Sequence, residues 1–203
     1  MRIALISSES LFETLSNRFD KIEWIRMNGL DDWNDLNNAD ALFVFEENAM
    51  TWDFSSIPKP VLVHGVVDTL KANEHSEHVV RINAWPGFLD RTLWEISGKP
   101  TEFHTSFETI ASIKFIWLPD EPGFVTPRAI AMIVNEAYFA KDAGVSEEAD
   151  IDIALKLGTN YPYGSFEWGK KIGIEHIFNL LKKLSINDQR YTPSTLLEKE
   201  AGS

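Results

Sequence analysis

Seven short apolar runs, separated by longer polar stretches, dominate the first 119 residues of the chain. Between the first two runs, Leu11, Leu15 and Phe19 recur at helical spacing, which predicts a connecting helix with one buried face. Strands that alternate with helices predict a mostly parallel sheet, so we expect an α/β domain over residues 1–119. The predicted strands are Ile3–Ile6, Ile22–Met27, Ala41–Phe45, Val61–Val63, Val79–Ile82, Thr92–Ile96 and Lys114–Leu118.

After residue 119 the pattern changes, and the sequence predicts helices only. A long helix over Arg128–Ala143 should end at Gly144, a residue suited to a left-handed cap. We therefore expect an all-α domain over residues 120–203. Its other predicted helices are one capped by Ser146 and ended by Gly158, one capped by Ser165 and ended near Gly173, one over Ile174–Leu184, and one that begins at Pro193.

Charge and composition exclude several classes of function. The net charge is −12, and an acidic surface repels phosphate backbones, so we expect no nucleic-acid partner. The absence of cysteine excludes disulfides and thiolate catalysis. No stretch approaches the roughly 20 apolar residues that span a bilayer, so we expect no membrane association and a cytoplasmic location. His75 and His78 have no clear third ligand in the sequence, so we expect no metal site.

The stretch from Asp120 to Gly173 resembles the C-terminal domain of the 3-hydroxyacyl-CoA dehydrogenase family. The family pattern reads D-x-P-G-F-V-x-N-R, then N-E-A, then a G-V-(A/S) turn. It continues with D-I-D-x-A and L-G-x-G-x-P-x-G-P-F-E, and it ends near I-G. The matching residues here are Asp120, Pro122, Gly123, Phe124, Val125, Arg128, Asn135, Glu136, Ala137, Gly144, Val145, Asp150, Ile151, Asp152, Ala154, Leu157, Gly158, Pro162, Gly164, Phe166, Glu167, Ile172 and Gly173.

The resemblance also implies a catalytic site, and this chain departs from it. The family's first domain is a Rossmann fold that binds NAD, and it supplies a catalytic histidine and, twelve residues later, a glutamate. Asn83 falls on the histidine position, Glu95 on the glutamate, and Pro127 on an asparagine of the helical domain. An amide cannot accept a proton near neutral pH, so Glu95 or His64 is left as the acid–base candidate.

The turn after the first strand departs from the family in the same way. Ser7, Glu9 and Phe12 fall on the three glycines of the G-x-G-x-x-G pattern. Those glycines allow a tight turn, close approach of the pyrophosphate and close packing of helix on strand. We therefore expect a shortened Rossmann-like domain without a bound cofactor, and NAD only if the family's activity survives.

We therefore expect a catalytically degenerate family homologue that acts as a dimeric scaffold or as a ligand- or partner-binding protein. The resemblance implies a homodimer through the helical domain, and a small acyl ligand in the interdomain cleft. The alternative is an active NAD-dependent 3-hydroxyacyl-CoA or hydroxyacid oxidoreductase of fatty-acid metabolism with a rearranged site. A third interpretation is an interaction protein that pairs with an active family member.

Overall fold

The computed structural model describes residues 1–31 and 33–202. The chain divides into two compact units, the first being Met1–Glu121 and the second beginning at Pro122. Among the described residues, no helix is both long and apolar enough to cross a membrane.

The first unit is built on a seven-stranded sheet with the order β2-β1-β3-β4-β5-β6-β7. All neighbouring strands are parallel except β5 and β6, which run antiparallel. The prediction of a mostly parallel Rossmann-like sheet, with a strand in each of the seven apolar runs, is confirmed. The strands are β1 Arg2–Ile6, β2 Glu23–Arg26, β3 Ala41–Val44, β4 Val61–His64, β5 Val79–Ile82, β6 Leu93–Ser97 and β7 Lys114–Trp117.

Three helices cover the sheet: α1 Glu9–Arg18, α2 Trp33–Asn38 and α3 Glu102–Ala111. The crossover from β3 to β4 contains only a single 3-10 turn, Ala49–Thr51, and residues 65–78 between β4 and β5 form no helix. A parallel crossover usually carries a helix. The domain is therefore shortened in these two connections.

Alternating side chains of the strands form two cores, one on each face of the sheet. On one face, the rings of Phe19, Trp94 and Phe107 pack between α1, α3 and the strands. On the other face, Met50 and Phe54 from the shortened β3–β4 crossover pack beside α2. Loops thus cover the part of this second face where crossover helices would otherwise lie.

A buried ion pair fixes the end of the first unit. Arg81 on β5 is fully buried, and its Nε donates to Asp120 Oδ1 at 2.6 Å. The same carboxylate accepts the backbone N–H groups of Leu70 and Lys71 at 3.1 and 3.0 Å. Partial burial works to raise the pKa of Asp120, but the hydrogen bonds from Lys71, Arg81 and Leu70 outweigh it and lower that pKa. Asp120, part of the family-like motif, thus has a structural role.

The second unit is helical, as predicted. Gly144 adopts the expected left-handed conformation, with φ of +67°. Pro127 lies in the first turn of the long helix, where proline is tolerated. The helices are α4 Thr126–Asp142, α5 Glu148–Thr159, α6 Ser165–Ile172, α7 Ile174–Ser185 and α8 Thr195–Ala201, with a 3-10 turn over Gln189–Tyr191.

Several of the predicted helix boundaries in this unit are wrong by one or two residues. Glu147, not Ser146, is the N-cap of α5, because the Ser146 hydroxyl donates to the Asp150 carboxylate instead. Helix α5 continues through Gly158 and ends at Thr159, and its C-cap Asn160 takes the left-handed conformation with φ of +56°.

Helix α6 has Gly164 as its N-cap, so the predicted Ser165 cap is also wrong. The capping acceptor comes from another helix: the Asp152 carboxylate on α5 accepts the N–H groups of Phe166 at 2.8 Å and Glu167 at 3.2 Å. Helix α8 is capped by the Ser194 hydroxyl, one residue after the predicted start at Pro193.

Candidate active site

The antiparallel pairing of β5 and β6 brings Asn83 and Glu95 together. The register pairs Ile82 with Ile96. One residue further along, the Asn83 N–H donates a hydrogen bond to the Glu95 carbonyl at 3.0 Å. The side chains also meet, since Asn83 Nδ2 donates to Glu95 Oε2 at 3.2 Å. Both residues are buried, with 3% and 8% exposure. The twelve-residue spacing noted in the sequence is therefore a cross-strand contact.

The hydrogen bonds also fix which way the Asn83 amide points. Its Oδ1 accepts the Trp85 backbone N–H at 3.3 Å, which leaves Nδ2 to face the carboxylate. An amide in this position donates a hydrogen bond but takes no proton from a substrate hydroxyl. The pair is thus a carboxyl group held by an amide donor, without the base that the resemblance implies at position 83.

His64 lies at the end of β4, beside the Asn83–Glu95 pair in the sheet, in register with Ile82. Its Nδ1 accepts the Ala84 backbone N–H at 3.2 Å. A neutral imidazole has one accepting nitrogen, so the Nε2 of this ring carries the proton. His64 can therefore take up a proton only by releasing Ala84, which makes it a poor substitute base.

The turn between β1 and α1 is held by side chains rather than opened by glycines. The Ser8 hydroxyl caps α1 by accepting the Leu11 N–H at 3.4 Å, and Ser7 Oγ donates to the Ser8 carbonyl at 3.1 Å. Glu9 forms an ion pair with Arg26, and the Arg26 guanidinium lies 5.9 Å from the centre of the Phe12 ring.

Arg26 is a site residue that the sequence analysis did not single out. It is the last residue of β2, and the parallel register places it opposite Leu5 on β1. The end of β2 therefore lies beside the turn that follows β1, where the family would hold the nucleotide ribose. The sequence signal that could have identified Arg26 is a basic residue at the end of β2. A nucleotide-binding fold of this kind has an acid near that position, which holds the ribose.

These residues do not fit a dinucleotide. The Glu9 charge is offset by Arg26, so the obstacle is steric more than electrostatic. Phe12 packs against the core of the first unit. Glu9 pairs with Arg26, and by the resemblance it falls on the glycine that lets the pyrophosphate approach the backbone. The N-terminus of α1 remains, but without the glycines that give a phosphate access to it.

In the second unit, motif residues that match the family have structural partners. Asn135 ties α4 to the segment before α8, donating to the Thr192 carbonyl at 2.9 Å and accepting the Ser194 N–H at 2.8 Å. Gly164 is required because a Cβ there would lie 2.3–2.4 Å from Asp152. Pro127, at the position of the family's asparagine, is buried and offers no side-chain donor.

The two histidines weighed as metal ligands bind backbone carbonyls instead. Nε2 of His75 lies 2.8 Å from the Met50 oxygen, and Nε2 of His78 lies 3.1 Å from the Phe54 oxygen. Across residues 1–31 and 33–202, no group of three or more histidine, aspartate or glutamate side chains is placed to hold a metal ion.

The motifs of the second unit and the fold are each similar to those of known dehydrogenases. Residues 123–201 match the family model described as 3-hydroxyacyl-CoA dehydrogenase, C-terminal domain. The crystal structure of (S)-3-hydroxybutyryl-CoA dehydrogenase from Ralstonia eutropha superposes with a TM-score of 0.72 at 15% identity. The superposition covers 99% of this chain and 93% of the Ralstonia eutropha chain, which shows a shared fold.

Two curated relatives carry the sequence similarity. The 3-hydroxyadipyl-CoA dehydrogenase of Escherichia coli is 44% identical over 86 residues, which are 41% of this chain and 18% of the relative. The 3-hydroxybutyryl-CoA dehydrogenase of Clostridioides difficile is 35% identical over 111 residues, 51% of this chain and 40% of the relative. The chain thus spans less than half the length of either relative. The match over residues 123–201 confirms the resemblance to the C-terminal domain of the 3-hydroxyacyl-CoA dehydrogenase family.

Proposed function

We propose that this chain is a catalytically degenerate member of the family, acting as a dimeric scaffold or as a ligand- or partner-binding protein. The observation that carries the proposal is the pairing of Asn83 with Glu95 across β5 and β6. The retained glutamate holds an amide where the resemblance implies a histidine base. Loss of a positioned general base costs about 10²–10⁴ in rate.

The turn after β1 supports the same proposal independently. Hydride transfer in this family requires NAD, and the side chains of Glu9 and Phe12 occupy the places of two glycines that a dinucleotide needs. Restoring a base at position 83 would leave this obstacle in place. The chain therefore lacks two separate requirements of the family reaction.

An exposed apolar surface on the second unit supports a homodimer. Asp152 is the one buried residue of α5, while Leu157 is 83% exposed and Ile153 is also exposed. Val145 before the helix and Tyr161 after it are exposed as well. Apolar side chains grouped in this way are typical of surfaces that bind another protein chain. A symmetric dimer would cover the surface on both copies.

The first experiment compares NADH and acetoacetyl-CoA as ligands by thermal shift, followed by an assay of NADH oxidation with acetoacetyl-CoA. The proposal predicts no stabilisation by NADH and no turnover. A ligand at 100 times its Kd would stabilise the native state by about 2.7 kcal/mol, so binding would be readily seen. Stabilisation by the CoA ester alone would identify a ligand-binding role.

A double variant, Asn83→His with Pro127→Asn, provides the matched control. It restores two family residues but leaves the turn after β1 unchanged, so we expect it to remain inactive. Turnover by the wild-type chain would instead establish the alternative, an active NAD-dependent oxidoreductase that uses Glu95. Turnover by the double variant alone would show that the turn after β1 does accept the cofactor.

If neither ligand binds, a measurement of molecular mass distinguishes a dimeric scaffold from an interaction protein that pairs with an active family member. Size-exclusion chromatography with light scattering measures the mass of the chain alone and mixed with an active family member. A dimer alone supports the scaffold role, and a mixed complex supports the role of an interaction protein. A strict monomer in both samples would contradict the dimer.

A further inference from the structure

Strand β7 is the last strand of the seven-stranded sheet, so among the described residues one side of its backbone has no neighbouring strand. On its other side, the N–H groups of Lys114 and Leu118 donate to carbonyls of the β6 segment at 2.7 and 2.9 Å. Backbone groups alternate in direction along a strand, so the N–H and carbonyl groups of Phe115 and Trp117 point away from β6. An edge of this kind is a template for pairing with another chain.

A side chain from helix α3 binds this edge. Oε1 of Glu108 accepts the Phe115 N–H at 2.7 Å, which is a hydrogen bond that an added strand would need for itself. The body of α3 lies further in, because the rings of Phe103 and Phe107 pack on Phe43 of β3 at 6.4 and 5.2 Å. The edge backbone of β7 is therefore occupied by one carboxylate rather than covered by the helix.

The two edges of the sheet differ in charge. Strand β2, at the opposite edge, has an exposed charged residue at each end, Glu23 and Arg26, and such charges discourage pairing with another chain. Strand β7 reads Lys-Phe-Ile-Trp, with a charge only at its start, and Ile116 is 40% exposed. Leu93 on β6 lies on the same face of the sheet and is 52% exposed. This edge is thus apolar, and its charge pattern does not protect it.

We propose that Glu108 closes β7 against pairing with a second copy of this chain. A second copy fits the edge because antiparallel pairing about a two-fold axis at Ile116 sets Phe115 of one copy opposite Trp117 of the other. The outward N–H and carbonyl groups of these two residues then bond to each other. The two Ile116 side chains meet at the axis and cover each other. Because the Phe115 N–H bonds to the carboxylate in the described structure, the second copy can pair only where Glu108 has let go.

The test compares two substitutions that remove the same charge. Glu108→Gln keeps an oxygen that accepts the Phe115 N–H, whereas Glu108→Ala removes the acceptor. Both are made in the Leu157→Lys background, so that association through α5 does not contribute. Mass is measured by light scattering at about 0.1–1 mM protein, because a contact between four-residue strands is small. We expect Glu108→Ala to have about twice the mass of Glu108→Gln, since a two-fold contact closes at two copies.

Two further variants locate the contact. Glu108→Met keeps a long side chain of good helix propensity but offers no oxygen, so it should give the same increase in mass as Glu108→Ala. Adding Ile116→Lys to Glu108→Ala sets like charges opposite each other at the two-fold axis, and should return the mass to that of Glu108→Gln. Circular dichroism checks that each variant is folded.

Two results would overturn the proposal. The first is an equal mass for the folded alanine, methionine and glutamine variants at position 108, and the second is a doubled mass that persists after Ile116→Lys, which would place the contact away from β7. The comparison does not depend on the homodimer proposed through α5, because all these variants share Leu157→Lys. A failure of that homodimer would instead appear as equal masses of the wild-type chain and Leu157→Lys alone.

Discussion

The buried side chain of His104 should make the free energy of unfolding of this protein depend on pH. The side chain is 2% exposed and lies among the rings of Phe103, Phe115 and Trp117, at 5.1 to 6.0 Å. Its Nδ1 accepts the Thr101 backbone N–H at 3.0 Å, and its Nε2 has no hydrogen-bond partner in the described structure. Protonation would bury a charge and remove the acceptor that Thr101 uses.

Burial therefore lowers the pKa of His104 from 6.5 to about 4, with the Glu108 charge opposing the shift. A histidine in the unfolded chain keeps a pKa near 6.5, so between these values the unfolded state binds more protons than the native state. Stability then falls as pH falls. The loss attributable to this group is about 2 kcal/mol between about pH 7.5 and pH 5, and about 3 kcal/mol once the pH is below 4.

The assay is urea unfolding at about pH 7.5 and pH 5, for the wild-type chain and for His104→Gln. Glutamine at this position is the ordinary partner in a helix capping box, so the variant keeps a neutral acceptor near Thr101 and loses only the titration. Carboxylates titrate equally in both proteins and cancel in the difference. We expect the wild-type chain to lose about 2 kcal/mol more than the variant on acidification.

The difference in stability loss between wild type and His104→Gln also shows whether the native His104 is neutral. If wild type and variant lose equal stability within about 0.5 kcal/mol, the native His104 is not held neutral, and the argument from burial fails. The titration of the His104 ring, followed by NMR in the native protein, gives a second check. A midpoint near the unfolded-state value of about 6.5 would also refute the argument from burial.

Other predictions concern the ion pair, the α5–α6 contact and the exposed surface. Asp120→Ala should lower the unfolding free energy by about 3 kcal/mol in urea titrations, because it leaves the buried Arg81 guanidinium without its carboxylate. A loss under about 1 kcal/mol would contradict the structural role of this ion pair. Gly164→Ala should destabilise by about 1–3 kcal/mol, since its Cβ would overlap the aspartate of α5. Gly158→Ala is its control, because open space surrounds that helical glycine and alanine should stabilise by about 0.5–1 kcal/mol. Leu157→Lys should halve the mass measured by light scattering with an unchanged circular dichroism spectrum, and an unchanged mass would show that this surface is not the interface.

The strands could be predicted from the sequence because most of them are buried on both faces. Ala41–Val44 has every residue buried and belongs to an apolar run that lies between Asp40 and Glu46. Val79–Ile82 is also buried throughout, and Arg81 is its one charged residue. Helix boundaries in the second unit were harder, because local side chains were expected to cap them. The group that caps α6 is Asp152, which is remote in sequence, and no local rule identifies such a partner.

The candidate site was partly predictable for a similar reason. The contact between Asn83 and Glu95 follows from one antiparallel register, and the spacing on its own does not reveal the direction of the strands. The Glu9–Arg26 ion pair depends on β2 lying parallel beside β1 and ending level with the turn. The open cleft between the loop after β3 and residues 65–78 was not predictable, because its walls come from two loops with no regular pattern.

A strong match to the family motif is compatible with lost chemistry because the motif serves two purposes. Asn135, Asp152 and Gly164 each satisfy or accommodate a buried group within the second unit, so the fold requires them whether or not a reaction occurs. Asn83 and Pro127 replace residues that the resemblance assigns to catalysis, and the fold tolerates both. Similarity over the helical unit therefore reports the fold, and activity has to be judged at the positions that would touch cofactor and substrate.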